Sequence, residues 1–248
     1  MPFVTNRGQR IHYTLDGDGP LVVLQHGYLS SAADWKTCGY VDALTEEGFQ
    51  VAGVDSLAHG ESDKPTDPAL YALPQRADDI VAVLDDLGTA RAHVVGYSMG
   101  GWIAGGVATH HPDRLASLTI AGWDCIRGIT TASEAMGQTV DAKWMLESVR
   151  TLAPAMVAWV TPEVEEAVVT CGDAIREADH DASTAVNALD VPVLLWDGTE
   201  DPYHRTMSKW ARANGHQYFS VEGDHLSCFY LHGRDTAARM AEFFRDAG

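Results

Sequence analysis

The stretch Gly96-Tyr97-Ser98-Met99-Gly100 constrains this 248-residue chain more than any other. An apolar, β-branched run ends just before it, and a helix-like segment follows it. Glycine weakens strands and helices alike, so two glycines around one serine indicate a tight strand-to-helix turn that larger side chains would obstruct. Such a turn exposes Ser98 beside the free backbone N–H groups of a helix start, where an anion is stabilised. The pattern therefore predicts a nucleophilic serine.

A serine hydroxyl becomes a good nucleophile only when a base takes its proton, and the base needs an orienting acid. The chain offers both, each just beyond a predicted buried strand. Asp201 lies in the polar turn after residues 191–196, and His225 follows residues 217–221. Ser98, Asp201 and His225 thus occur in one of the chain orders known for serine triads.

Short β-rich runs alternate with helix-like segments over most of the sequence. This alternation implies a mainly parallel sheet covered by helices on both faces, and hence an α/β fold. The predicted strands are residues 10–15, 21–25, 50–54, 93–97, 115–121, 191–196 and 217–221, and the clearest helices are 74–87, 99–110 and 206–213.

Residues 125–190 interrupt the alternation. They contain no convincing strand, and two or three helices suit them: 131–152 with a break, and 162–178, which Pro162 opens at a first-turn position. Helices inserted between two strands predict a lid over the carboxyl edge of the sheet, where open α/β sheets bind ligands. We therefore expect a core domain of residues 1–124 and 191–248 and a helical cap of residues 125–190.

Several short pieces resemble the α/β-hydrolase superfamily, in its cap-bearing branch of serine esterases, lactonases and haloperoxidase-like enzymes. They are spread over nearly the whole chain: LQHGY at 24–28, DSLAHGESDKP at 55–65, GYSMGG at 96–101, DGTEDP at 197–202 and EGDH at 222–225. The resemblance implies a mainly parallel sheet of the eight-stranded type, flanked by helices, with a small helical cap inserted after the sixth strand.

The resemblance also assigns roles to the candidate residues. Ser98 is the nucleophile, His225 the general base and then acid, and Asp201 the orienting carboxylate. The oxyanion hole is formed by the backbone N–H groups of Tyr28 and Met99.

Other carboxylates compete for the acid's role. Asp124 follows a predicted strand, at a place where some members of the superfamily keep the acid, but the turn around Asp201 suits that role better. Asp224 adjoins His225, and a sequence neighbour rarely points to the same imidazole nitrogen.

The loop at residues 55–65 departs from the superfamily's Asp-x-Arg-Gly-x-Gly-x-Ser. Leu57 stands for the arginine and Ala58 for the first glycine, so the loop's usual hydrogen bonding is not assured, whereas the triad is unaffected. His26 is expected to shape the oxyanion loop by hydrogen bonding, and His204 is expected to be structural.

A serine at the turn favours acyl chemistry, because superfamily members that act on epoxides or haloalkanes carry an aspartate there. We expect a serine hydrolase that cleaves carboxylic esters with small to medium acyl or aromatic groups, and lactones, through an acyl-enzyme. Two alternatives stay open: a C–C bond hydrolase of the same fold, and a small-molecule receptor with slow turnover. The triad supplies nucleophile and proton transfer, so no cofactor or metal is expected.

The predicted substrate pocket is mostly apolar. Aromatic residues at helical spacing are more often core packing, but some on a lid must face the site it covers. The predicted pocket residues are Trp123, Trp144, Trp159 and Cys228. They suit a small apolar ester or lactone better than a charged substrate.

The composition limits partners and location. A formal net charge of −18 repels phosphate backbones, so nucleic acid is not expected as a partner. No apolar run approaches the ~18 residues that cross a bilayer, and MPFVTNRGQR lacks the apolar segment of a secretory signal. We therefore expect a cytoplasmic protein that does not engage membranes. The cysteines at 38, 125, 171 and 228 have no zinc-ligand spacing and are expected to be reduced thiols.

Overall fold

The computed structural model describes residues 2–178 and 181–247. Met1 and Gly248, in the predicted core, and Asp179 and His180, in the predicted cap, lie outside the described residues.

The described chain forms an eight-stranded sheet in the order β1-β2-β4-β3-β5-β6-β7-β8. Strands β3 to β8 run parallel, β2 is antiparallel to β4, and β1 is antiparallel to β2. The strands are β1 (Phe3–Asn6), β2 (Gln9–Asp16), β3 (Leu21–Gln25), β4 (Gln50–Val54), β5 (Ala92–Tyr97), β6 (Leu115–Ala121), β7 (Val193–Gly198) and β8 (Gln217–Val221). The prediction of a mainly parallel α/β sheet is confirmed.

Helices cover both faces of this sheet. They are α1 (Ala32–Thr37), α2 (Tyr40–Glu46), α3 (Leu73–Asp86), α4 (Met99–His110), α5 (Ile129–Met136), α6 (Ala142–Leu152), α7 (Pro162–Glu177), α8 (Ser183–Asn187), α9 (His204–Asn214), α10 (Ser227–Leu231) and α11 (Gly233–Asp246). Short 3₁₀ turns occur at Pro68–Tyr71, Pro112–Arg114 and Pro154–Val157. No helix in residues 2–178 or 181–247 is long and apolar enough to span a bilayer.

The central strands are buried on both faces. Successive strand residues point to opposite sides, so Val23 and Val94 join a cluster with residues of α3 and α4, while Val22 and Val95 join a second cluster with residues of α2 and α11. This two-sided burial explains why β3 reads as a continuous apolar run.

The strand order reverses between β3 and β5. The chain passes from β3 to β4 on one side and then crosses back to β5 on the other. At such a reversal the connections leave the carboxyl ends of two neighbouring strands in opposite directions, which opens a crevice for a ligand. Gly27, after β3, and Ser98, after β5, both belong to this crevice.

A helical insertion, α5 to α8, lies between β6 and β7. The predicted helix at 131–152 is divided in two: Gly137 ends α5 with φ +65°, and Asp141 begins α6 by accepting a hydrogen bond from the Trp144 backbone N–H at 2.8 Å. Apolar side chains of the insertion, including Leu146 and Val168, extend the cluster on the α3 and α4 face.

Candidate active site

Ser98 lies in the turn between β5 and α4. Its backbone has φ +56° and ψ −117°, a conformation that non-glycine residues rarely adopt. The turn is held by its own N–H, which donates to the Ala121 carbonyl at 2.8 Å. A Cβ on Gly96 would lie 1.9 Å from the Gly100 carbonyl oxygen, and one on Gly100 would lie 2.1 Å from the carbonyl oxygen of Gln25. The prediction that side chains larger than glycine would obstruct this turn is confirmed, and the groups that they would meet are backbone carbonyls.

Ser98, His225 and Asp201 come together through hydrogen bonds at the carboxyl ends of three strands. The Ser98 hydroxyl lies 3.0 Å from His225 Nε2, and His225 Nδ1 lies 2.7 Å from Asp201 Oδ2. A carboxylate only accepts, so Nδ1 carries the proton and Nε2 is left to accept from the serine. In this tautomer His225 is ready to act as a base.

The Asp201 carboxylate is held in place and faces His225. It is 4 % exposed, and its Oδ1 accepts from the Tyr203 backbone N–H at 2.9 Å. Burial alone would lower the pKa of His225, but the charge of Asp201 and its hydrogen bond outweigh that effect and raise the pKa above its ordinary value. Behind the imidazole, the Tyr97 hydroxyl donates to the His225 carbonyl oxygen, so the last residue of β5 also holds the histidine loop.

The competing carboxylates have other partners. Asp124 accepts from the Ile126 backbone N–H at 2.9 Å and from the Thr131 hydroxyl at 2.7 Å, which fixes the start of the helical insertion. Asp224 accepts from the backbone N–H groups two and three residues further on, at 3.0 and 2.8 Å. In the described chain, the carboxylate bonded to His225 is that of Asp201.

Two backbone N–H groups flank Ser98. Gly27 lies against the serine, since a Cβ built on it would be 3.2 Å from Ser98 Cβ. The next residue, Tyr28, and the first residue of α4, Met99, donate no backbone hydrogen bond to any group in residues 2–178 or 181–247. Both N–H groups are therefore available to an oxyanion formed at Ser98.

Two buried histidines shape this loop. His26 Nε2 accepts from the Ser56 N–H at 3.0 Å, while Nδ1 donates to the Gly27 carbonyl at 2.7 Å. His59 Nε2 accepts from the Leu29 N–H at 3.1 Å. Burial lowers the pKa of His26 and lowers that of His59 to about 3, so both rings are neutral and able to accept. The expected role of His26 is confirmed. The role of His59, which lies in the DSLAHGESDKP stretch, was not predicted from the sequence.

The loop that departs from the superfamily pattern is organised by Asp55. This carboxylate accepts from the Ala32 backbone N–H and from His12 Nδ1, each at 2.7 Å. Leu57 is fully buried, and Ala58 takes φ +70°, a conformation that favours glycine. The loop is therefore hydrogen-bonded despite both substitutions.

Ser98 opens into a cavity of about 300 Å³ beneath the helical insertion. None of its lining residues in the described chain is Asp, Glu, Lys or Arg, and most are apolar. The insertion supplies the lining residues Ile129, Ala132, Met136, Val140, Trp144, Met145, Ser148, Val149, Leu152, Ala153 and Met156. This arrangement accommodates a neutral, apolar molecule.

Of the predicted pocket residues, Trp144 lines this cavity and the other three do not. Trp123 lies behind α4, where it borders a separate, larger groove of about 770 Å³ that does not include Ser98. The ring of Trp159 packs 5.6 Å from the ring of His59. Cys228 is fully buried behind the wall of the cavity, with its Sγ 3.2 Å from the Tyr97 hydroxyl.

A second buried polar group lies near Asp201 and was not recognised from the sequence. Asp197, at the end of β7, accepts from the Tyr218 hydroxyl at 2.6 Å and from His204 Nδ1 at 2.7 Å. Burial raises the pKa of Asp197 to about 6. The expectation that His204 is structural agrees with these contacts. Within residues 2–178 and 181–247, no cluster of three or more His, Cys, Asp or Glu side chains is arranged to hold a metal ion.

Comparison with known proteins identifies the family. The family model described as alpha/beta hydrolase fold matches residues 20–142. The chain belongs to the α/β-hydrolase superfamily.

Among curated relatives, this α/β hydrolase is 37 % identical over 116 residues to epoxide hydrolase B of Mycobacterium tuberculosis, a match that covers 45 % of this chain and 32 % of that protein. It is 33 % identical over 111 residues to bifunctional epoxide hydrolase 2 of Sus scrofa, covering 45 % of this chain and 20 % of that one. The chain thus matches a third or less of the length of these two relatives.

Solved structures resemble the whole chain. A thermophilic esterase from Thermogutta terrifontis has a TM-score of 0.78 at 21 % identity, covering 99 % of this chain and 98 % of that one. The enol-lactonase from Burkholderia xenovorans LB400 has a TM-score of 0.73 at 22 % identity, covering 99 % of each chain. At these identities the likeness establishes a shared fold.

Proposed function

We propose that this protein is a serine-dependent hydrolase of carboxylic esters, including lactones, that works through an acyl-enzyme intermediate. The observation that carries the proposal is the hydrogen-bonded chain from Ser98 through His225 to Asp201, opening into an uncharged apolar cavity. A nucleophile, a base in the correct tautomer and two free backbone N–H groups are the parts that acyl transfer needs.

The first half of the reaction acylates the serine. Ser98 Oγ attacks the ester carbonyl carbon while His225 Nε2 takes its proton, and Asp201 stabilises the resulting imidazolium. The carbonyl oxygen becomes an oxyanion that accepts hydrogen bonds from the Tyr28 and Met99 N–H groups. The carbon–oxygen bond to the alcohol then breaks, and His225 gives its proton to the leaving oxygen.

The second half releases the acid. His225 Nε2 takes a proton from a water molecule, whose oxygen attacks the acyl carbon of the Ser98 ester. The same oxyanion hole holds the second tetrahedral intermediate. Its collapse breaks the bond to Ser98 Oγ, which recovers the proton from His225, and the carboxylic acid leaves.

The chemistry of a serine argues against epoxide opening, although two relatives are named epoxide hydrolases. Attack of Ser98 Oγ on an epoxide carbon would leave an ether, and the oxyanion hole and base provide no means of cleaving one. Attack on an ester carbonyl leaves an ester, which water cleaves with the same groups.

The cavity also disfavours the C–C hydrolase alternative. An acidic diketone substrate would need a positively charged partner for its carboxylate. None of the described residues that line the cavity is Lys or Arg.

The test is the hydrolysis of p-nitrophenyl esters from acetate to decanoate by the parent protein, Ser98→Ala and Ser208→Ala. Ser208 lies in α9 and does not line the cavity, so its variant controls for loss of a serine hydroxyl. We expect repeated turnover in the parent and in S208A, and a loss of about 10⁴-fold in S98A. A single burst equal to the enzyme concentration would identify a slow receptor instead, and turnover that survives in S98A would rule out the serine mechanism.

A further inference from the structure

Exposed apolar side chains surround the mouth of the active-site cavity. Among the described residues, six large hydrophobic side chains are exposed, and three of them, Met136, Leu152 and Leu226, also line the cavity that contains Ser98. Their exposed fractions are 50, 85 and 44 %. We call these three residues the apolar rim.

The apolar rim is continuous with the cavity. This continuity distinguishes it from hydrophobic side chains that are scattered singly over a protein surface. Leu152 ends α6, and residues 152–156 carry no polar side chain. Within that run, Ala153 and Met156 line the cavity too. Single exposed leucines need no explanation, but an apolar patch that joins a binding cavity marks a surface that an apolar molecule covers.

The volume of the cavity indicates which kind of molecule covers the rim. Its volume of about 300 Å³ is at the lower end of the 300 to 1,000 Å³ that is typical of small-molecule sites, as a rough range. An ester with a longer hydrocarbon chain would fill the cavity and continue across its mouth, and the side chains it meets there are those of the rim. The rim contains no charged residue, so it suits hydrocarbon and not a polar head group.

We propose that the apolar rim binds the outer part of the substrate's own hydrocarbon chain, so that the preferred esters have an acyl or alcohol chain longer than the cavity. The inference rests on the proposed ester hydrolysis at Ser98. A methylene that leaves water completely for an apolar surface strengthens binding by roughly fourfold. Because the rim stays half exposed, we expect binding to strengthen by roughly twofold for each methylene beyond the chain length that fills the cavity.

The experiment measures kcat/KM for p-nitrophenyl alkanoates and for n-alkyl acetates of increasing length, each below its micelle concentration. It compares the parent with Leu152→Ser, Leu152→Met and Leu15→Ser. Leu15, on β2 next to the edge strand β1, is 40 % exposed and does not line the cavity, so L15S is the matched control.

In at least one series, we expect L152S to lower the ratio of long-chain to acetate kcat/KM by roughly fivefold, while L152M restores the ratio and L15S leaves it unchanged. An unchanged ratio in L152S, with the parent active on both chain lengths, would overturn the role of the rim and leave the esterase intact. If sedimentation shows that L152S dissociates a dimer of the parent, the rim is an interface between copies, and the proposal is overturned. Absence of turnover on every ester would overturn both proposals.

Discussion

Replacing Asp201 by asparagine keeps the size of the side chain but exchanges one carboxylate oxygen for an NH₂ group. The group that faces His225 then changes from an acceptor to a donor. In the parent, Oδ1 of Asp201 accepts from the Tyr203 N–H at 2.9 Å and Oδ2 accepts from His225 Nδ1 at 2.7 Å. The Tyr203 N–H persists in Asp201→Asn and keeps the amide oxygen on its side. The amide NH₂ must then face Nδ1.

Two donors cannot share that 2.7 Å contact, so the imidazole changes tautomer. Nδ1 accepts from the amide, and the proton moves to Nε2, which now points a hydrogen at Ser98 and takes none from it. We expect kcat to fall by about 10⁴-fold, equivalent to about 5 kcal/mol of transition-state stabilisation. That magnitude is the one known for the same substitution in another serine hydrolase.

The assay is the pH dependence of kcat/KM on a p-nitrophenyl ester. Because Asp201 raises the pKa of His225, the parent's activity should rise with pH through a midpoint above the ordinary histidine value of about 6.5. In D201N the midpoint of the residual activity should move to lower pH. Asp224→Asn is the matched control: the charge of Asp224 also raises the pKa of His225, so this variant should lower the midpoint slightly, but it should keep kcat because the Asp224 carboxylate accepts from backbone N–H groups of its own turn and not from the imidazole. If D201N keeps a tenth or more of the parent's kcat and the midpoint of its pH profile does not move, the assignment of Asp201 as the orienting acid is refuted.

Two further predictions concern stability. Gly100→Ala would bring a Cβ to 2.1 Å from the carbonyl oxygen of Gln25, so we expect a loss of about 4 kcal/mol or more in urea unfolding. Gly105→Ala, whose Cβ meets only Ala182 at 3.2 Å, should change stability by less than about 1 kcal/mol, and equal effects would contradict the close approach at the turn. His59 has a folded pKa of about 3, so its contribution to stability is present above the unfolded pKa of about 6.5 and is lost as pH falls toward 3. Between pH 7 and pH 5 the parent should therefore lose about 2 kcal/mol more than His59→Gln in urea unfolding, and equal losses would show that His59 is not buried as a neutral ring.

The triad could be predicted from the sequence because its parts occur where parallel strands end. Ser98, Asp201 and His225 each follow a short apolar run, and parallel strands bring all their carboxyl ends to one edge. Local patterns therefore carried information about a long-range assembly.

The lining of the cavity could not be predicted in the same way. An insertion helix has apolar residues toward the core and toward the cavity, and helical spacing does not distinguish the two. Trp144 lines the cavity, whereas Trp159 packs on His59. The prediction that Cys228 lines the cavity was wrong for a related reason. Cys228 follows His225 closely in sequence, but α10 directs its side chain behind Tyr97.

Some elements were not assigned from the sequence. Strand β1 is short and only partly buried, so it lacks a strong apolar signal. Helices α1 and α2 are six and seven residues long, too short for a clear period. Helix α11 does carry apolar residues at three and four spacing, among them Ala237, Met240 and Phe244, and that pattern could have revealed it.

The central claim is that Ser98 becomes covalently acylated during turnover. The most direct measurement is mass spectrometry of the protein after mixing with a p-nitrophenyl ester and quenching in acid within the first turnovers. We predict an adduct with the mass of the acyl group, located by peptide mapping at Ser98, absent from S98A and lost once the substrate is consumed. An adduct that maps to a residue other than Ser98, or ester turnover that persists in S98A, would contradict the account.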